Sequence, residues 1–204
     1  MMQKEAKPQD VELNRAKSDA DAKVSELLKV DKEAIDSKAG EIGDVILKEM
    51  DDILSPKVVV TGGAGSGKTT IASALAKALG VKSLSFDEYV PGGWVDDKEE
   101  YARRFSKGLY EMWEDVPPRK GWVIEHVESC GESLVGLYRP DFALLVDPGD
   151  EHLGRVAEAR SSIQGSVTLS RSLQSAEKAK TQFNALPGSV LMKVPGFVLK
   201  KVEG

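Results

Sequence analysis

Gly62-Gly63-Ala64-Gly65-Ser66-Gly67-Lys68-Thr69 fits the spacing Gly-x-x-x-x-Gly-Lys-Thr, and the chemistry of that spacing is the holding of phosphate. The β-branched run Val58-Val59-Val60-Thr61 leads into it, and a helical pattern follows Thr70. That is the strand–loop–helix context the pattern requires. Glycines at 62, 63, 65 and 67 let the backbone approach an anion closely. Loop amides converge there on the start of a helix, where the dipole also favours negative charge. Lys68 is spaced to reach the outer phosphates, and the Thr69 hydroxyl to ligate Mg²⁺. Gly62 through Thr70 therefore predict a site for a nucleoside triphosphate with Mg²⁺ as its companion.

Three carboxylates could serve that site, since Asp87, Glu125 and Asp147 each close a short apolar run. In an open parallel α/β sheet the ligand sits outside the carboxyl ends of the strands. Acids at several such ends converge on one place. Each alone is also an ordinary turn or cap residue.

The elements that must position them alternate along the chain. Lys57 to Thr61 reads as a strand, and Thr69 to Leu79 as a helix with Ile71, Leu75 and Leu79 four apart and Gly80 as its stop. Lys82 to Phe86 is a second strand ending at Asp87. Asp97 to Trp113 is a helix with the stripe Tyr101, Phe105, Leu109 and Trp113, broken by Pro117-Pro118. Trp122-Val123-Ile124 makes a third strand ending at Glu125, and Phe142 to Val146 a fourth ending at Asp147-Pro148. Glu151 to Ser162 and Leu173 to Leu186 read as helices and Val190 to Val194 as a fifth strand. Such alternation predicts an α/β fold with helices on both faces of a mostly parallel sheet.

Composition bounds the rest. With 204 residues, 41% hydrophobic and 30% charged, the chain is of a size for one domain plus an extension. No apolar run reaches membrane-spanning length and the first residues lack a signal-peptide core, so no membrane role is expected. A single cysteine, Cys130, predicts a reducing, cytoplasmic setting, and with two histidines it leaves no structural zinc site. The acids at Glu128 and Glu132 are expected to hold that thiol protonated. The whole net charge of −5 lies in residues 1–56, which carry nine basic and fourteen acidic side chains, leaving nineteen of each sign beyond. This extension reads as two parts. A polar tail runs to about Lys38, with Val24, Leu27 and Leu28 as its apolar cluster. An amphipathic helix follows from Glu41, with Ile42, Val45, Ile46, Met50, Ile53 and Leu54 on one face, ended by Ser55-Pro56. The expected division is an extension over 1–56 and a domain over 57–204, the extension being either a tail with a docked helix or a partner-binding arm.

Over roughly residues 57–194 the chain resembles the P-loop kinases of the nucleoside and nucleotide kinase superfamily, its uridine-kinase-like and zeta-toxin-like branches especially. The likeness is carried by Gly62 through Thr70, Phe86-Asp87-Glu88-Tyr89, Val123-Ile124-Glu125 and Leu145-Val146-Asp147-Pro148 with the arginine-bearing helix after it. The resemblance implies a P-loop NTPase fold with a five-stranded sheet in the order 2-3-1-4-5, and ATP as phosphoryl donor. It implies Asp87 as activator of the acceptor hydroxyl and Glu125 as support of the Mg²⁺ site. Arg155, Arg160 and Arg171 would be lid arginines on the transferring phosphoryl group, a task that suits the planar guanidinium fork. Asp147 competes with Glu125 for the metal and is assigned mainly a structural role. Arg103 and Arg104 could hold a substrate phosphate or form an exposed helix face; Tyr89, Trp94 and His126 could contact an acceptor base or sugar. Where such kinases place an adenine-contacting loop and a final helix, Val190–Val194, Pro195-Gly196 and Phe197–Val202 read as two strands and a tight turn.

The function this predicts is a kinase acting on a small-molecule hydroxyl or phosphate, with a nucleoside, nucleotide or sugar-nucleotide acceptor. A polynucleotide 5′-hydroxyl kinase is the second reading, disfavoured by the net acidity. A third is an ATPase or nucleotide-dependent binding module acting through the N-terminal arm.

Overall fold

The computed structural model describes residues 22, 23, 26, 29, 31–50, 55–90, 97–116, 120–127, 129–164 and 169–203. Val24, Leu27, Leu28, Ile53, Leu54, Trp94, Glu128, the Gly92-Gly93 pair and the Pro117-Pro118 break lie outside them. Helix α1 (Lys32–Glu49) starts at Asp31, whose carboxylate accepts from the Ala34 N–H at 3.0 Å. Strand β1 (Lys57–Gly62) runs through the glycine loop into α2 (Lys68–Leu79), closed by Gly80 at φ 65°. Strand β2 (Lys82–Ser85) ends in a single 3₁₀ turn over Phe86–Glu88. Helix α3 (Lys98–Asp115) is capped by Asp97, which takes the Glu99 and Glu100 amides. Then come β3 (Trp122–Glu125), the short α4 (Glu132–Tyr138) and β4 (Phe142–Asp147). Helices α5 (Asp150–Gln164) and α6 (Leu169–Ala185) precede the hairpin β5 (Gly188–Val194) and β6 (Gly196–Val202). No helix among the described residues is long and apolar enough to cross a membrane.

The period of two along each strand sorts the core onto two faces of the sheet. Val58, Val60, Val123, Phe142 and Leu144 meet Ile71 and Leu75 of α2 and Ile42 and Ile46 of α1. Val59, Trp122, Ile124, Ala143 and Leu145 meet Met112, Leu134, Tyr138, Ala179 and Phe183 of α3, α4 and α6. With helices on both faces, the central strands carry unbroken apolar runs.

The sheet has six strands in the order β2-β3-β1-β4-β6-β5. The expected five strands in the order 2-3-1-4-5 are corrected here. Strand β6 lies antiparallel between β4 and β5 and fills the place beside β4 expected for the fifth strand. The reason lies in the hairpin's residues. Leu199 of β6 is fully buried, whereas β5 is at most half-buried along its length and its Val190 is 54% exposed. The two consecutive lysines of β6 point to opposite faces, and each caps a helix there. Lys200 Nζ donates to the Phe183, Asn184 and Leu186 carbonyls at the end of α6, and Lys201 Nζ to the Glu49 carbonyl at the end of α1.

Candidate active site

The carboxyl ends of β1, β2 and β3 meet where the glycine loop enters α2. Gly67 stands at φ 86°, a left-handed conformation that costs other residues free energy, and it caps α2 with no side chain. The first-turn N–H groups of α2 are thereby presented to a ligand. Lys68 is buried, and its Nζ lies 3.7 Å from Glu125 Oε2. The Thr69 hydroxyl donates to Glu125 Oε1 at 3.2 Å, and Ser85 Oγ donates to the same oxygen at 2.5 Å. Glu125 is only 2% exposed, so these donors offset the cost of burying its charge. One strand end away, Asp87 Oδ1 lies 3.4 Å from His126 Nε2. The imidazole is held edge-on to Phe86, 4.8 Å between ring centres. Its backbone is pinned to β1, for the His126 N–H donates to the Val60 carbonyl, and Ser129 Oγ donates to the Val60 and His126 carbonyls. The Asp87 side chain is 46% exposed.

Helices α5 and α6 close over the loop. A Cβ on Gly63 would stand 2.8 Å from the Ala176 Cβ and 2.9 Å from its Cα, so α6 approaches the loop as closely as a glycine allows. The Ala64 N–H donates to Ser175 Oγ at 2.7 Å, and that hydroxyl donates in turn to the Ser172 carbonyl. Val156 of α5 fills the space beside Gly65. Arg160 lies one turn beyond Val156 and Arg171 one turn before Ser175, so both stand on helix faces that meet the loop. Arg155 is exposed beside His152, whose imidazole is pushed below its usual value by burial and by the Arg155 charge.

Other expected site residues are drawn elsewhere. The Tyr89 hydroxyl donates to Asp115 Oδ2 at 2.8 Å; burial, with that carboxylate, pushes its pKa well up. Arg103 and Arg104 both hold Glu100 on α3, Arg104 through Nε at 2.7 Å, and the pair lowers that carboxyl. Asp147 Oδ2 lies 3.3 Å from Lys180 Nζ on α6. Burial works to lower the Lys180 ammonium, but its bond and attraction to Asp147 outweigh that and raise it. Burial pushes the Cys130 thiol up to about 12. Thr70 is exposed on the first turn of α2.

Sequence reasoning missed Ser85 and Ser175. Ser85 lies opposite Glu125 in the parallel β2–β3 register, so its place could be found once those strands were paired. Ser175 touches the loop across 111 positions of sequence, and nothing local marks it.

The donor set fits a metal-bound triphosphate. Ser66 Oγ and Glu125 Oε2 are buried in the site with no hydrogen-bond partner. No cluster of three or more His, Cys, Asp or Glu able to hold a metal occurs among the described residues. The Glu125 carboxylate beside the Thr69 hydroxyl suits Mg²⁺, which is held by few protein groups together with phosphate oxygens and water.

No protein-family model matches the chain, and no curated protein sequence matches it. Among solved structures, it is similar to a gluconokinase from Sinorhizobium meliloti 1021, with a TM-score of 0.37 and 19% identity over 70% of this chain and 77% of that one. So loose a likeness carries no argument about chemistry. What stands is an α/β chain with a mixed six-stranded sheet, whose first strand runs through a glycine loop into a helix.

Proposed function

We propose that this chain is an ATP-dependent P-loop kinase that moves the γ-phosphoryl group to a hydroxyl or phosphate of a small molecule, with a nucleoside, nucleotide or sugar-nucleotide as the acceptor class. The observation that supports it is the gathering of Lys68, Thr69 and Glu125 at the mouth of the glycine loop, with Asp87 and His126 one strand end away. Phosphoryl transfer needs little covalent chemistry from a protein. It needs positioning and positive charge on the phosphates, together with a group that orients the nucleophile. In this reading the loop amides from Gly62 to Thr70 and Lys68 hold the phosphates. Thr69 and Glu125 hold Mg²⁺, whose contribution when bound is to neutralise charge on the phosphate oxygens. Asp87 receives the acceptor's hydroxyl proton as the new O–P bond forms and the bond from the γ-phosphorus to its bridging oxygen breaks, releasing ADP. Arg160 and Arg171 are the lid arginines best placed for the transferring group, ahead of Arg155. Arg103, Arg104 and Tyr89 are engaged with Glu100 and Asp115, and this reading gives them no role.

An acceptor screen with γ-labelled ATP and Mg²⁺ tests the reading. Label transferred to a small molecule is the expected result. Label on a 5′-hydroxyl oligonucleotide would make the chain a polynucleotide kinase, and label released only to water an ATPase. A chain that neither binds nor turns over ATP would overturn the proposal.

A further inference from the structure

Glu125 is held by three side chains, and two of them have other work in the proposed reaction. Lys68 turns to phosphates and Thr69 to the cation, which withdraws the ion pair from Oε2 and the hydroxyl donor from Oε1. The third partner, Ser85, has no such task. It sits opposite Glu125 in the parallel pairing of β2 with β3, so the backbone ladder fixes the separation of the two residues. Its hydroxyl donates to Oε1 at 2.5 Å, shorter than the Thr69 bond to the same oxygen at 3.2 Å. Ser85 also begins the 3₁₀ turn over Phe86–Glu88, but its side chain makes no capping hydrogen bond there. Its hydroxyl is given to Glu125 instead.

We infer that Ser85 is the positioning residue of the metal-supporting carboxylate, holding Glu125 Oε1 in place once Lys68 and Thr69 have turned to the nucleotide and its cation. This rests on the P-loop reading above. A glutamate has three side-chain torsions, and one deprived of its donors is free to reorient. With Ser85 in place, Oε1 stays fixed and Oε2, which has no hydrogen-bond partner, remains oriented to accept. Partners of this kind, one step removed from a metal, commonly govern metal affinity by about 10–100-fold.

The test is calorimetry with a non-hydrolysable ATP analogue, in Mg²⁺ and in chelator, on the full chain. Ser85→Ala is expected to keep the chelator affinity of the wild type and to lose about tenfold of the gain that Mg²⁺ confers. Ser85→Thr, which keeps the hydroxyl, is expected to retain the gain. In a Glu125→Gln background, Ser85→Ala is expected to change nothing further. An undiminished Mg²⁺ gain in Ser85→Ala would overturn the inference, as would a loss of equal size in chelator, which marks a merely structural role. A full additional loss in the Glu125→Gln background would also overturn it, because Ser85 would then not act through Glu125. A wild-type chain that binds no analogue defeats the P-loop reading and this inference together. Binding without a Ser85 effect defeats the inference alone.

Discussion

At the scale of residues, the proposed reaction separates charge that holds from charge that reacts. Lys68 is 9% exposed and belongs to neither apolar core, so its removal is expected to spare the fold. Glu125 would keep its two hydroxyl donors. The Lys68→Ala chain is therefore expected to melt as a folded protein and to lose measurable ATP–Mg²⁺ binding by calorimetry. Unchanged affinity in that folded variant would remove the central claim. The two acids should separate in kinetics. Asp87→Asn is expected to keep nucleotide binding and to slow transfer by roughly two to four orders of magnitude, the usual worth of a general base. Glu125→Gln is expected to raise the Mg²⁺ concentration needed for half-maximal rate. Equal and small effects of both would mean that the acids have been assigned the wrong roles.

At the scale of elements, the loop is shaped by helices far from it in sequence. Gly63→Ala would drive a methyl into the backbone of α6, which cannot yield as a flexible side chain would. Overpacking of this sort costs about 1–3 kcal/mol, and the bond from the Ala64 N–H to Ser175 is expected to go with it. Urea unfolding and nucleotide affinity should both worsen. Lys200→Met is expected to act differently. It takes the donor from three carbonyls at the end of α6, far along the helix from the loop, at a cost of about 1–3 kcal/mol. Stability should then fall while nucleotide affinity holds. These long-range contacts also explain what the sequence could and could not reveal. The glycine loop was legible because strand, turn and helix start are encoded within some twenty residues, and the strand-end acids followed from where the apolar runs stop. The pairing of β4 was not legible. Val190–Val194 and Phe197–Val202 both have strand character, and the choice between them rests on Leu199 and on two lysine caps made to remote helices. Helix α4, seven residues long, is too short for its period to declare itself.

At the scale of the whole molecule, the acidic extension and the loop-bearing helix share one core. Ala39, Ile42 and Ile46 of α1 are fully buried with Leu75 and Ala76 of α2, and Gly43 faces Ala78 and Leu79 at ordinary contact distance. Lys201 then ties the end of α1 to the sheet. Burying Ile42 and Ile46 alone contributes about 3–6 kcal/mol, a large share of the roughly 5–15 kcal/mol by which a domain is stable. A chain cut to start at Asp31 keeps the helix and its cap, and is expected to match the full chain in melting temperature, light scattering and nucleotide affinity. A chain cut to start at Pro56 leaves the outer face of α2 as an apolar strip. It is expected to melt on the order of 10 °C lower and to self-associate. Because α2 also carries the loop, its nucleotide affinity should weaken in step. Nucleotide added in excess would then recover part of the lost melting temperature, since a ligand that binds only the folded chain stabilises it. If the Pro56 chain is as stable and as monomeric as the full one, residues 57–204 stand alone as a domain. The buried face of α1 would then be a tether, and the acidic arm would be left to bind something other than its own core.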